Sequence, residues 1–69
     1  MSQHVYKKVE VVGSSPSSIE DAIQSAVATA AESLDHLEWF EVKEMRGAIM
    51  DGKVAHYQVV LKLGFRLNH

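Results

Sequence analysis

Between Val54 and Leu67 the odd positions are all apolar: Ala55, Tyr57, Val59, Leu61, Leu63, Phe65 and Leu67. The even positions include His56, Gln58, Lys62 and Arg66. Side chains of a strand alternate between its two faces. This period of two therefore predicts a long strand with one face on a core and the other toward water or a partner. Just upstream lies Asp51-Gly52, a pair suited to a two-residue hairpin turn that needs positive φ. Leu37 to Ile49 is then the partner strand, folded back on Val54 to Leu67.

The first half supplies another strand and a helix. Val5 to Val12 is rich in β-branched residues, with Val5, Val9 and Val11 on one face and Lys7 interrupting it. Gly13-Ser14-Ser15-Pro16 is read as a break before a helix, because Pro suits a first helical turn. Ser17 followed by Glu20 matches a capping box. Ile19, Ala22, Ile23, Ala26, Val27, Ala30 and Leu34 recur at helical spacing and form one apolar stripe. The helix is expected to end near Asp35-His36. The order is strand, helix, strand, strand. The expected class is α+β: a β-α-β-β chain whose three-stranded antiparallel sheet carries one helix on one face.

Sixty-nine residues leave room for one domain, residues 1–69. So short a chain buries a modest share of its surface, and such chains often gain burial by oligomerising. The net charge of −2 offers no basic patch for a nucleic acid. No apolar run reaches membrane-spanning length, no signal peptide is visible, and the absence of cysteine fits a cytoplasmic protein. His4, His36, His56 and His69 lack ligand spacing and read as surface histidines, so no metal site is expected. The Gly-Ser-Ser-Pro segment could hold an anion at the helix start, but capping is the simpler role.

With Asp51-Gly52 as the turn, strict pairing sets Met50 opposite Lys53, Met45 opposite Gln58, Glu41 opposite Lys62 and Trp39 opposite Gly64. Residues directly opposite share a face. Phe40 and Val42 then join Leu63 and Leu61 under the helix. Trp39, the only tryptophan, points away from it, beside a glycine that cannot cover it. Three readings are open: burial against another subunit, a flat ligand stacked on the indole, or a bulge that turns the ring inward. Gly47 within its strand suggests a bulge or a close approach of another chain.

Three stretches, VYKKVEVVGSSPSSIEDAI, LEWFEVKEMRGAI and YQVVLKLGFRL, together resemble the dodecin family over almost the whole chain. The resemblance implies a hollow homo-oligomeric shell, a dodecamer, that holds flavins in pairs between tryptophans of neighbouring subunits. It implies a storage or sequestration protein for riboflavin, FMN or FAD, with coenzyme A as a further ligand in some bacterial members. Carried over residue by residue, Trp39 is similar to the stacking tryptophan and Gln58 to the glutamine at the polar edge of the ring system. Arg46 matches a pocket-lining residue, Glu38 borders the flavin, Lys7 aligns with a strand-one lysine, and Arg66 is a candidate coenzyme A contact. Thr29 and Ser33 stand where longer polar residues could touch a phosphate.

The residues add a constraint of their own. Trp39 and Gln58 lie six rungs apart, about 20 Å, so one flavin can touch both only if they come from different chains. Strict alternation puts Arg46 on the helix side, and twist or a bulge at Gly47 would be needed to bring it to the ligand. No substrate site or second redox partner is recognisable, so a binder is expected rather than an enzyme. The alternative is a structural homo-oligomer whose Trp39 surface is only a subunit contact.

Overall fold

The computed structural model describes residues 3–67. Strand β1 (Tyr6–Ser15) leads into helix α1 (Ile19–Ala31), followed by β2 (Leu37–Met50) and β3 (Lys53–Arg66). The sheet is antiparallel in the order β1-β3-β2, so the alternating strand β3 is central and both others are edges. The expected β-α-β-β architecture with one helix on one face is present. The hairpin turns at Asp51 and Gly52, both at positive φ.

β1 runs three residues into the expected break, to Ser15. Gly13 is a strand residue paired with Val59, and its role is closeness: a Cβ there would lie 2.9 Å from the Ala26 Cβ and collide with the Ala22 carbonyl. The alanine stripe of α1 thereby settles directly on the sheet. Ala22, Ala26 and Ala30 are buried against Val59, Leu61 and Leu63, with Val9, Val11, Ile23, Val27, Leu34 and Leu37 packed around them. Fully burying each large aliphatic side chain contributes roughly 1.5–3 kcal/mol.

Helix capping differs from the capping-box reading. Ser18, not Ser17, is the N-cap, and its hydroxyl accepts from the Asp21 backbone N–H at 3.0 Å. The buried Ser15 hydroxyl organises the approach. It donates to Asp21 at 2.7 Å and accepts from the backbone N–H groups of Ser17 and Ser18. The helix stops at Ala31, earlier than the apolar stripe suggested, because Leu34 belongs to a terminal turn whose N–H bonds the Ala30 carbonyl. His36, at φ 63, then reverses the chain, and its carbonyl accepts from the Arg66 N–H.

The helix lies over β1 and β3 and leaves β2 largely uncovered beyond Leu37. Phe40 and Val42 do share the helix side with Leu63 and Leu61, but they are about half exposed rather than covered. Beyond the rung joining Ser15 to Tyr57, where β1 ends, the hairpin continues as two strands alone.

Candidate ligand-binding face

The open face of the sheet is built by the even residues of β1 and β3. Opposite Gly64 on β2 stands Trp39, and its ring lies where a Gly64 Cβ would project. The indole therefore points away from the helix, as alternation and the turn predict. It is 38% exposed. Tyr6 meets it edge-on, with ring centroids 5.4 Å apart at 70°. Its N–H donates to Glu41 Oε2 at 2.9 Å. Lys8, from the far edge strand, donates to both Glu41 oxygens at 3.3 and 3.2 Å. The indole N–H and Lys8 together hold the Glu41 carboxyl below its ordinary value, with Lys62 adding a smaller favourable field.

Three bulges shape the β2–β3 hairpin. Glu38, Lys43 and, on β3, Ala55 each stand unpaired at a shift of register. Lys43 adds a residue to β2 and Ala55 adds one to β3, so the two offsets cancel. Both ends of the hairpin keep the expected pairs, Trp39 with Gly64, Glu41 with Lys62 and Met50 with Lys53, while the middle is displaced by one. Met45 faces Val59 instead of Gln58, and Arg46 faces Gln58. Strict alternation thus fails for Arg46. Its Nε donates to Gln58 Oε1 at 3.0 Å on the open face. The bulge that brings it there is at Lys43, not Gly47. Lys43 itself reaches across to Glu10 at 3.1 Å. Gly47 has another use: a Cβ there would come within 2.6 Å of the His56 carbonyl oxygen.

Arg46 and Gln58 therefore form one polar pair, and Trp39 stands six rungs away, about 20 Å along the strands. Glu38 lines a cleft of about 150 Å³ with Val27, Leu37 and Leu63, on the helix side of the sheet near Trp39. Lys7 pairs with Phe65 and so shares the odd, helix-side row of β1, whereas its neighbour Lys8 is the lysine beside Trp39. Thr29 and Ser33 line a groove between α1 and the β1 edge. His69 lies outside the described residues.

Tyr6, Lys8 and Glu41 join the site without belonging to any motif that marks them in the sequence. The signal for them is the glycine at 64, which leaves the central strand without a side chain. Residues of β1 can then reach β2 across it, but only the strand order reveals which ones. Among the described residues, no group of three or more His, Asp or Glu could hold a metal ion, and no helix is long and apolar enough to cross a membrane.

Comparison with known proteins adds a family to this geometry. A family model described as dodecin matches residues 5–68. The dodecin of Thermus thermophilus is 60% identical over 63 residues, covering 91% of each chain. The solved structure of dodecin from Streptomyces coelicolor superposes with a TM-score of 0.94 at 54% identity, over 100% of this chain and 99% of that one. A more distant relative, the calcium dodecin of Mycobacterium tuberculosis, is 32% identical over 63 residues, 91% of this chain and 89% of its own.

Proposed function

This chain belongs to the dodecin family, and from that premise we propose that it binds and buffers flavin (riboflavin, FMN or FAD) between Trp39 side chains at the subunit interfaces of a homododecamer. The observation that carries this reading is the outward Trp39, seated on Gly64 with part of its ring exposed. A flat, polarisable ring system stacks on such a surface over a large area. The Arg46–Gln58 pair supplies the polar complement, since an amide and a guanidinium offer donors and an acceptor to an imide edge or a phosphate. About 20 Å of strand separates the pair from Trp39, so a site using both draws them from two subunits. In this reading Glu38 borders the ligand, Lys7 and Arg66 are outlying contacts, and coenzyme A is a further ligand.

Assembly is favoured by surface the protomer leaves uncovered. The two-stranded end of the hairpin exposes Ile49, Met50 and Val54, and β2 exposes Phe40, Val42 and Met45. An isolated two-stranded hairpin is marginal in water. The protomer exposes 5110 Å², against about 4300 Å² for a compact monomer of its 7.7 kDa mass.

Stacking on an electron-rich indole would also quench the excited flavin by electron transfer, which protects without turnover. The role is storage in the cytoplasm rather than catalysis. Titrating riboflavin or FMN with apo-protein should quench flavin fluorescence to a saturating endpoint, and Trp39→Ala should abolish it. Undiminished tight quenching by that variant would end the reading. The same exposed apolar surface supports a second reading, a structural homo-oligomer in which Trp39 is only a subunit contact. A flavin-free assembly that does not quench added flavin would select it.

A further inference from the structure

We propose that Glu41 and Lys8 are positioning residues for Trp39: a tether from the indole N–H to the Glu41 carboxylate, and from there to Lys8 on the far edge strand, sets the rotation of the ring against which a planar ligand stacks. The inference rests on the flavin-stacking reading and deepens it.

The torsion that turns an indole about its Cβ–Cγ bond is broad, so an aromatic ring on an open sheet face is not oriented by its rotamer alone. Three contacts orient this one. Gly64 provides a seat beneath one face. Tyr6 abuts it edge-on at 70°. Glu41 Oε2 accepts the N–H at 2.9 Å, the single directional bond the indole makes. Glu41 is exposed on the edge strand β2 and would be free to swing without a second anchor. Lys8 supplies it by donating to both carboxylate oxygens across the side-chain-free position at Gly64. All four groups stand beside the central strand, while the ring keeps an exposed surface for a ligand.

Exposed ion pairs contribute little to folding stability. The consequence of this tether is therefore orientation, and a pre-oriented surface loses less freedom when a rigid ligand binds. That separates the proposal from a purely structural role. Glu41→Ala should leave the melting temperature and assembly mass nearly unchanged. It should diminish the near-UV circular dichroism band of the lone tryptophan in the apo-protein and weaken FMN binding by about three- to tenfold. Glu41→Gln keeps an oxygen to accept the N–H but loses the ion pair with Lys8, so it should fall between wild type and Glu41→Ala, and Lys8→Ala should match it.

An unchanged indole band and unchanged FMN affinity in Glu41→Ala would overturn the proposal. So would a Glu41→Gln variant as perturbed as Glu41→Ala, because the accepted hydrogen bond would then not be the operative contact. The circular dichroism arm needs no ligand. If wild-type protein fails to bind FMN while Glu41→Ala still loses the band, the tether stands and the stacking reading falls.

Discussion

Trp39 occupies the space above Gly64: its Cε2, Cζ2 and Cδ2 atoms all lie well inside the contact distance of a side chain placed there. One residue without a side chain thus determines where the largest side chain of the protein rests. Gly64→Ala must displace the ring from its seat and from Glu41. The expected result is FMN affinity reduced about tenfold or more, with a destabilisation of about 1–3 kcal/mol typical of overpacking. Fluorescence titration and thermal unfolding measure the two effects. A Gly64→Ala protein that binds FMN as tightly as wild type would mean that the seat is irrelevant to stacking.

Acid should act on the same locus through Glu41. Its folded-state carboxyl is held low, first by the Trp39 N–H and then by Lys8, with Lys62 also facing it. A group whose folded value is depressed contributes fully above its unfolded value and loses that contribution as pH falls through the folded one. The indole circular dichroism band should therefore persist through neutral pH and decline only below the ordinary carboxylate range. Glu41→Gln should remove that acid limb. A decline already under way near neutrality would point to some other group.

Capping offers a sharper contrast between two adjacent serines. Ser18→Ala removes the acceptor for the Asp21 N–H and should destabilise by about 1 kcal/mol. Ser17→Ala removes no side-chain bond found in the structure and should change stability far less. Parallel thermal unfolding at equal protein concentration ranks them, and the opposite order would restore Ser17 as the cap.

Close approach of helix and sheet predicts the cost of Gly13→Ala. The new methyl group would meet the Ala22 carbonyl and lie 2.9 Å from the Ala26 Cβ, so α1 must lift from the core. A loss of about 1–3 kcal/mol is expected, read by denaturant unfolding. Ala26→Gly in the same chain should recover part of it, although glycine within a helix costs roughly 1 kcal/mol of its own. A neutral Gly13→Ala would show that the helix does not need this contact.

The residues alone determined much of the site. Period-two alternation on β3 and the Asp51-Gly52 turn place Trp39 on the open face beside Gly64, because both are local properties of the backbone. The alanine stripe and the family motifs, including Trp39, Arg46 and Gln58, are likewise written in the chain. Three matters were decided only in three dimensions. Arg46 reaches Gln58 because paired bulges at Lys43 and Ala55 displace the middle of the hairpin and cancel at its ends, an adjustment between two strands that neither strand's periodicity encodes. The helix covers β1 and β3 rather than β2 because Gly13 lets the alanines approach on that side. Lys8 and Glu41, 33 residues apart, hold Trp39 because β3 lies between their strands with no side chain at Gly64. Strand order is a property of the folded chain, and no local pattern carries it.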